Sequence, residues 1–471
     1  RTVYDRVPKP PPHGPRGADR ITILEDTDGD GEADKVKDFV DGLNLVTGVA
    51  FGHGGVFVLN VPYLLFYPDR NHDDVPDSDP EVLLTGFGME DAQSMSNHLT
   101  WGPDGWLYGV NGSTTTCRIR DLEFQQGVWR YHPLSHKFEL FCEGGSNCYG
   151  VTFDANGELY YSTNGGPFVH AVQGGYYFKS FGKHGPLHNR HAYHYFPNLE
   201  CDQVPGGPPT GGTIYLGDAF PEVYDGKFIA GNFLGHTLSW WSITPIGSTV
   251  SAKFGAPILD AHDTWFGPTD VCLGPDGSIY VSDFYDKRTA HPDPDANWDL
   301  DNGRIYKIEA IDREVCEPID LAKLSSDELV DLLSHRNHWF RDRSRSEFAL
   351  RRDSSVVPRL REMALQTGDA QLALQGLWAH YVTVGIDESL ALQLLDHPEP
   401  YVRFWVVRLL GDEGKVSRLL AEKLVWLAAN ESSPVVRSQL AASAKRITDS
   451  TGLQIVKQLL KSHPDESDER I

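Results

Sequence analysis

The stretch Trp101-Gly-Pro-Asp-Gly-Trp-Leu-Tyr108 decides the fold, because it returns along the chain. It recurs as Leu273-Gly-Pro-Asp-Gly-Ser-Ile-Tyr280 and, more loosely, as Phe153-Asp-Ala-Asn-Gly-Glu-Leu-Tyr160. Weaker copies are Phe51-Gly-His-Gly-Gly-Val-Phe-Val58 and Asp225-Gly-Lys-Phe-Ile229. Each copy has the pattern of a strand, a tight turn that ends in Gly, and a second strand of alternating aromatic and aliphatic residues.

The spacing of these copies predicts the architecture of residues 20–311. The turn glycines lie 50, 52, 69 and 51 residues apart: Gly55, Gly105, Gly157, Gly226 and Gly277. Short strands with a period of about 50 residues are typical of β-propeller blades. We therefore predict a six-bladed propeller in which five blades are visible as repeats. The sixth would close through pairing of Arg20–Leu24 and Lys35–Val40 with Arg304–Ile308, and the long interval predicts an insertion within Lys183–Asn198.

The sequence changes character after about residue 311, where Leu, Ala, Arg and Glu at helical spacing replace glycine. The stretch His397-Pro-Glu-Pro-Tyr-Val-Arg403 is echoed by Ser432-Ser-Pro-Val-Val-Arg437. A turn containing Pro followed by a helix with an early Val-Arg is typical of HEAT repeats, so an α-helical HEAT-like solenoid is predicted over 318–462. Residues 1–19 are predicted to be an N-terminal extension and 463–471 a charged, frayed tail.

Charge and hydropathy exclude several classes of partner. The formal net charge is −24 over 471 residues, which opposes binding to nucleic acid or to anionic lipid. No apolar run approaches the ~18–20 residues that cross a bilayer, so no transmembrane segment is expected. The chain begins at Arg1 without a hydrophobic leader, which predicts a processed or excised segment.

The cysteines leave the redox state open. They are Cys117, Cys142, Cys148, Cys201, Cys272 and Cys316. None forms a CxxC pair or the CxxCH haem signature, so no haem is expected in this segment. Cys142 and Cys148 either form a disulfide or are buried free thiols.

Two acidic loops have the spacing of calcium sites. The first places carboxylates at every second position before a glycine: Asp26, Asp28, Asp30 and Asp34. Lys37 stands where an EF-hand carries its bidentate Glu, so a full EF-hand is excluded. The second loop repeats the spacing without the glycine: Asp69, Asn71, Asp73 and Asp77. We expect structural Ca²⁺ at both loops; the alternative is a pair of solvated acidic hairpins.

Several motifs together resemble a known family. They are Arg20–Asp34, Leu84–Gly88, Leu99–Gly109, Ile214–Asp218 and Val281–Tyr285. This pattern resembles the glucose/sorbosone dehydrogenase-like propeller of secreted planctomycete and verrucomicrobial proteins, often described as membrane-bound dehydrogenases. The resemblance implies an extracytoplasmic location, periplasmic or secreted, and HEAT repeats after the propeller. It also implies a haem-binding cytochrome domain outside this segment.

The resemblance also implies a site at the centre of the ring. Sugar dehydrogenases of this fold class bind pyrroloquinoline quinone there, with a His as general base. In this sequence His98 stands at that position, and Asn147 matches an Asn that holds cofactor or substrate. Ser146 replaces an expected Arg, Phe266–Val271 lacks expected arginines, and Phe233-Leu-Gly-His236 lacks an expected Lys. These departures weaken the quinone assignment, because its carboxylates need cationic partners; His236 remains a candidate ligand.

Two further groups are candidates for binding. The insertion carries His184, His188, Arg190, His191 and His194, which could bind a metal or a substrate or simply form a hydrogen-bonded loop. Arg190 and His191 are the predicted ligands among them. Asp283 follows the predicted strand Ser278–Ser282 and is expected at the central mouth; capping of loop amides is the alternative.

Two functional hypotheses follow. The first is an oxidoreductase that oxidises a sugar or polyol and passes electrons to the haem domain. The second is a non-catalytic, calcium-stabilised propeller and solenoid that binds a glycan or a protein partner, since both folds are common binding platforms. A hydrolase with calcium at the ring centre is a weaker third hypothesis, because the acidic motifs are local loops.

Overall fold

The computed structural model describes residues 17–471 except 165, 167, 181–186, 198, 203–206, 288–298, 300, 301, 312–318, 465 and 469. The strands, in chain order, are β1 (Asp19–Glu25), β2 (Lys35–Leu43), β3 (Val46–Gly52), β4 (Gly55–Asn60), β5 (Tyr63–Pro68), β6 (Glu81–Thr85), β7 (Asn97–Trp101), β8 (Leu107–Asn111), β9 (Cys117–Ile119), β10 (Leu122–Phe124), β11 (Gly127–Tyr131), β12 (Phe138–Gly145), β13 (Cys148–Phe153), β14 (Leu159–Thr163), β15 (Phe168–Ala171), β16 (Gly175–Lys179), β17 (His194–Tyr195), β18 (Glu200–Cys201), β19 (Pro209–Ile214), β20 (Phe228–Asn232), β21 (Thr237–Ile246), β22 (Thr249–Asp260), β23 (Pro268–Leu273), β24 (Ile279–Asp283) and β25 (Arg304–Ile308). The α-helices are α1 (Ser326–Leu332), α2 (His338–Arg351), α3 (Val357–Leu365), α4 (Ala370–Val384), α5 (Glu388–Leu394), α6 (Pro400–Glu413), α7 (Arg418–Asn430), α8 (Pro434–Ala444) and α9 (Ser450–Ser462).

Five antiparallel sheets follow one another along the chain as propeller blades. They are β3–β6, β7-β8-β11-β12, β13–β15, β19–β22 and β23–β25, and short parallel strands extend the second and fourth. The first strand of each blade contacts the first strand of the next: β3 with β7, β7 with β13, β13 with β19, and β19 with β23. The first strands therefore surround the centre, as blades of a propeller do. The predicted fold class, a β-propeller followed by an α-helical solenoid, is confirmed.

The repeated turns have the geometry that the sequence predicts. Gly105, Gly157 and Gly277 have φ of 76°, 75° and 74°, a left-handed conformation that glycine adopts without steric cost. The Asp104 carboxylate accepts a hydrogen bond from the Trp106 amide, which tightens the turn. Each turn thus returns the chain from a first strand to the second strand of the same blade.

Closure of the ring differs from the prediction. β1 pairs with β2, and this hairpin packs through Phe39 and Leu43 onto Val58 and Leu65 of the first blade. β25 pairs with β24, and among the described strands none joins β25 to β1 or β2. The predicted pairing with Arg304–Ile308 is therefore not observed. The hairpin needs only a short loop to close, whereas the predicted pairing would join the two ends of the propeller.

The helices form two layers. In one layer α2, α4, α6 and α8 lie side by side; in the other α3, α5, α7 and α9 do so. Arg403 donates to the carbonyls of His397 and Pro398 at 2.6 and 2.9 Å and to the Glu431 carboxylate. Arg437 makes the equivalent contacts one repeat later, with the carbonyls of Glu431 and Ser432 and with a carboxylate. The early Arg of each repeat thus ties its own turn to the next unit; the assignment to HEAT repeats in particular stays a prediction. Within the described ranges, no helix combines the length and the apolar character that crossing a membrane requires.

Buried ions join the solenoid to the propeller. Arg130 of β11, which has no exposed surface, donates to Asp104 at 3.0 Å and to Asp412 of α6 at 2.7 Å. Arg408 of α6 donates to the Tyr108 hydroxyl at 2.7 Å. Burial raises the pKa of Asp412, but the charge of Arg130 and other nearby arginines outweighs it and holds that pKa well below its usual value. We call this group, with Glu139 and Arg446, the interface ion cluster.

Described residues of the C-terminal segment also take part in this interface, whereas the sequence predicts a frayed tail over 463–471. Asp468 accepts hydrogen bonds from the amide and hydroxyl of Ser248, at 2.5 and 2.6 Å. Arg470 is only 5% exposed and lies against His170 of the third blade, 2.8 Å from Nδ1. Specific polar contacts with two blades hold a segment whose composition alone indicates solvent exposure.

The interface ion cluster predicts an asymmetric mutational response. Replacing Asp412 with Ala leaves Arg130 and Arg446 buried without one of the two carboxylates they share, so we expect a loss of about 3–5 kcal/mol in the free energy of unfolding. Asp396→Ala is the control, since its carboxylate pairs with Lys423 but is 63% exposed, and should cost less than about 1 kcal/mol. Urea denaturation measures both, and equal losses would contradict the assignment.

Candidate functional site

The first strands leave a cavity of about 400 Å³ at the centre of the propeller, which we call the central chamber. Its walls come from β3, β7, β13, β19 and β23, and its floor from α2 and α4, including Trp339, Arg343 and Trp378. The repeated turns rest on the same helices: a Cβ on Gly105 would lie 3.1 Å from Val382. The helices therefore close the end of the chamber at which the first strands finish.

His98 and Asp270 lie near the opposite end. His98 is the second residue of β7, and its Nδ1 is 3.4 Å from a carboxylate oxygen of Asp270, on β23 of the fifth blade. The His98 side chain is 13% exposed and that of Asp270 52%. Burial lowers the pKa of His98, but the charge of Asp270, a hydrogen bond to it and one to the Val151 backbone outweigh burial, so the pKa is raised. This pair spans the chamber away from the helices.

The floor carries a different set of charges. Arg345 of α2 is ion-paired with Asp342. Arg343, also on α2, contacts the rings of Phe51 and Trp339, 6.0 and 5.7 Å from its guanidinium carbon. The described residues offer it no hydrogen bond or ion pair.

The remaining titratable groups of the chamber are uncharged near neutral pH. Burial lowers the pKa of His53 to about 4. Burial and the charges of neighbouring arginines lower the pKa of His338 as well. Burial and the nearby Glu158 raise the pKa of Asp154, which keeps its proton more strongly than an ordinary Asp.

Asn147 lies beside the chamber and is already engaged. Its side-chain oxygen accepts a hydrogen bond from the Ser113 hydroxyl at 2.8 Å. The neighbouring Asn97 donates to the Cys148 carbonyl at 2.8 Å, which joins the starts of β7 and β13. Asn147 thus stands near His98 in the fold, and its predicted role as a cofactor or substrate ligand stays a prediction.

His236 and Asp283 hold a loop between the fourth and fifth blades. The Nδ1 of His236 is 2.7 Å from the Phe266 carbonyl, and Asp283 accepts from the Gly267 amide at 2.8 Å. Burial raises the pKa of Asp283. Both contacts are those of loop capping, the alternative considered for Asp283, and neither residue lines the central chamber.

The His-rich insertion does not assemble as one cluster among its described members. His188 Nδ1 is 2.9 Å from the buried Glu143 carboxylate, while Arg190 pairs with Asp121 at the surface. His191 lies beside Arg446, and its pKa is lowered by burial. His194 packs against a phenylalanine ring, and His184 lies outside the described residues. The geometry is that of a hydrogen-bonded loop.

The first acidic loop gathers three of its four predicted ligands. Carboxylate oxygens of Asp26, Asp28 and Asp34 lie within 4.8 Å of one another, the only such group in the described part of the chain. Asp30 instead accepts a hydrogen bond from the Glu32 amide.

In the second acidic loop, the side chains hydrogen-bond within the loop itself. Asp69 and Asn71 accept from the Asp73 amide, and Asp77 accepts from the Arg70 amide. Lys37 donates to the Asp73 carbonyl at 2.6 Å, so the two loops are neighbours.

Two cysteines and the floor of the chamber differ in how far the sequence predicts them. Cys142 and Cys148 are buried free thiols. The family resemblance predicts His98 at the centre of the ring. No pattern in the sequence predicts that His98 pairs with Asp270 or that α2 lies under the chamber. The stretch His335–Arg343 is a weaker echo of the helical repeats. Arg341 of this stretch donates to the His335 carbonyl, the contact that Arg403 makes with His397.

Three of the solved structures with a partial likeness to this chain are sugar enzymes by their descriptions. An oxidoreductase described as a glucose dehydrogenase from Thermus thermophilus is 16% identical, with 57% of this chain and 86% of that chain covered and a TM-score of 0.41. The PQQ-bound aldose sugar dehydrogenase of Streptomyces coelicolor is 12% identical over 62% and 99%, with a TM-score of 0.31. A gluconolactonase from Xanthomonas campestris is 11% identical over 52% and 71%, with a TM-score of 0.31. TM-scores this low carry no inference about function, which has to be derived from the residues of this chain.

Family membership comes from a sequence model. No curated protein matches this sequence. A family model described as a domain of unknown function, DUF7133, matches residues 8–312, which include all five blades and the β1–β2 hairpin. The chain therefore belongs to the DUF7133 family.

Proposed function

We propose that the protein is an oxidoreductase that acts on a hydroxyl group of a sugar or polyol in the central chamber. The observation that carries the proposal is the His98–Asp270 pair, which joins two blades across the chamber. A histidine oriented by a carboxylate is a common device for moving a hydroxyl proton. The chamber, at about 400 Å³, lies within the range of small-molecule sites.

The raised pKa of His98 sets the condition for this chemistry. Asp270 and the Val151 backbone both favour the protonated ring, so His98 is a base only above its raised pKa. In the oxidation, a ring nitrogen of neutral His98 would take the hydroxyl proton, and a two-electron acceptor would be needed to take the hydride from the carbon. The described residues do not supply such an acceptor, and its electrons would continue to the expected haem domain.

Pyrroloquinoline quinone does not fit the described residues, so no step is assigned to it. Its several carboxylates need cationic partners. Next to His98 stands the Asp270 carboxylate, and Ser146 offers only a buried hydroxyl. The chamber's arginines are on the floor, where Arg345 is paired with Asp342. Pyrroloquinoline quinone is therefore a poor match for the end of the chamber that holds His98 and Asp270.

Calorimetric titration of pyrroloquinoline quinone into the calcium-loaded protein tests that mismatch. We expect no saturable heat at micromolar protein, because the mouth lacks the cations that the quinone's carboxylates require. A soluble quinoprotein sugar dehydrogenase serves as the positive control. Saturable binding to the wild type that Asp270→Asn leaves unchanged would show that the charge argument is wrong.

The proposed base is tested by the pH dependence of turnover. A dye-reduction assay over a panel of sugars and polyols should show activity that rises with pH through the raised pKa of His98, above its usual 6.5. His98→Ala should lower kcat/KM by about 10²–10⁴-fold. Asp270→Asn removes the negative charge, so the acidic limb should move to lower pH.

His262→Ala is the matched control, because this histidine also faces an Asp but its side chain is 87% exposed. Its kcat/KM should equal that of the wild type. Turnover that persists unchanged in His98→Ala would exclude the proposed base. If a sugar binds without any turnover, the second candidate applies, a recognition module in which protonated His98 anchors the ligand; the raised pKa and the absence of a quinone cradle in the described residues favour that candidate.

We also propose that Ca²⁺ binds the loop of Asp26, Asp28 and Asp34 and stiffens the β1–β2 hairpin. The three carboxylates converge, as oxygen ligands of a hard cation do. The proposal fits the predicted extracytoplasmic location, which also stays a proposal.

Calcium removal should lower stability. Scanning calorimetry in EGTA and in Ca²⁺ at 100 times its Kd should differ by about 2.7 kcal/mol in the free energy of unfolding, since the ion binds only the folded loop. The double variant Asp26→Asn and Asp28→Asn should lose this difference. Glu32→Gln, in the same loop but outside the group, should keep it. A calcium effect that survives in the double variant would place the ion elsewhere.

A further inference from the structure

Arg343 is the uncompensated charge of the central chamber. Its guanidinium lies against the rings of Phe51 and Trp339, and the described residues give it no hydrogen bond and no carboxylate partner. The carboxylate next to it in sequence, Asp342, is ion-paired with Arg345. A guanidinium has five donors and stays protonated in proteins, so all of them remain available on the floor of the chamber.

The other titratable groups of the chamber are either paired with an opposite charge or neutral near pH 7. Arg345 is neutralised by Asp342, and Asp270 faces His98, which balances its charge when the ring is protonated. Burial lowers the pKa of His53, so that ring is neutral near pH 7. One positive charge is left at the floor. Burial lowers the pKa of this Arg343 guanidinium, and the charge of nearby Asp342 offsets that effect only in part.

We infer that the ligand of the central chamber is a monosaccharide that carries a single carboxylate, a sugar acid, and that Arg343 binds that carboxylate. The inference rests on the proposed function, because it assigns the ligand of the same chamber. Arg and carboxylate match as a two-pronged pair of charge-assisted hydrogen bonds. An anion there also supplies the counter-charge that a desolvated guanidinium requires.

The surroundings favour a sugar acid over a sugar phosphate or a simple organic acid. Phe51 is 54% exposed and borders the chamber with Trp101 and Trp339, so apolar ring faces are available beside the cation. Such faces suit the apolar side of a pyranose ring. A dianionic phosphate is disfavoured, because Asp270 and Asp342 also border the chamber and, among the described residues, Arg343 alone is left to neutralise it.

Three sugars that differ only at C6 test the inference: D-glucuronate, D-glucose and D-glucose 6-phosphate. Calorimetry on the full chain at pH 7 and constant ionic strength should give glucuronate an affinity at least about tenfold above that of glucose. The phosphate should bind more weakly than glucuronate. Added NaCl should weaken glucuronate binding and leave glucose unchanged, a result that needs no variant protein.

Variants of the floor give the second measurement. Arg343→Gln should abolish the preference for glucuronate over glucose. Arg343→Lys should keep part of that preference, since lysine retains the positive charge but cannot donate two parallel hydrogen bonds to a carboxylate. Arg359→Gln is the matched control, an exposed arginine on α3 that pairs with Asp327 and Asp331. Thermal unfolding of each variant checks that the fold is intact.

The outcomes are separable from those of the proposed function. Equal binding of glucuronate and glucose by the wild type, or a preference that survives in Arg343→Gln, overturns the inference. Tighter binding of the phosphate overturns the assignment of a carboxylate. Glucuronate binding that depends on Arg343 but produces no turnover supports the inference and overturns the oxidoreductase proposal. Dye reduction that depends on His98 but not on the group at C6 supports the oxidoreductase proposal and overturns the inference.

Discussion

The interface ion cluster is the contact on which the rest of the structure depends. Arg130, Arg408 and Arg446 face Asp104, Glu139 and Asp412, so opposite charges are matched one for one in a region with almost no solvent. Such ions contribute little net stability when all partners are present, but any partial assembly leaves a buried charge unpaired. The cluster therefore favours a single docking position of the solenoid on the propeller. Aromatic contacts add to it, because Trp405 donates to the Asn156 carbonyl in a blade turn at 2.7 Å.

That docking position creates the chamber. An isolated propeller has a channel that is open at both ends, whereas here α2 closes one end and contributes Trp339 and Arg343 to the floor. The site is consequently shared by two parts of the chain that are far apart in sequence. Asn337 is an example of such a shared contact, since it caps the N-terminus of α2 and donates to the carbonyls of Gly274 and Pro275 in the turn of the fifth blade.

The features that could be predicted from the sequence depend on short-range physics. Asp-Gly turns require glycine in the left-handed region, so Gly105 and Gly277 correctly predicted the turns between the first and second strands of their blades. The structural role of the early Arg in each helical repeat could be predicted, because this side chain donates hydrogen bonds to carbonyls of its own turn. The pairing of β1 with β2, the docking of Arg470 and the union of His98 with Asp270 depend on long-range packing. No periodicity in the sequence specifies which distant segments meet, and these features could not be read from it.

Charge at two scales constrains what the chamber can hold. The chain has a formal net charge of −24, so its overall field repels an approaching anion and cannot enrich it by steering. At 0.15 M salt this field is screened beyond about 8 Å, and recognition depends on contacts inside the chamber. There Asp270 faces His98, and the Arg343 guanidinium on the floor has no hydrogen-bond or ion-pair partner among the described residues, so an acidic ligand would gain its selectivity from its contact with Arg343. A neutral ligand would cover that partly buried cation without supplying a counter-charge, which is the costlier of the two bound states.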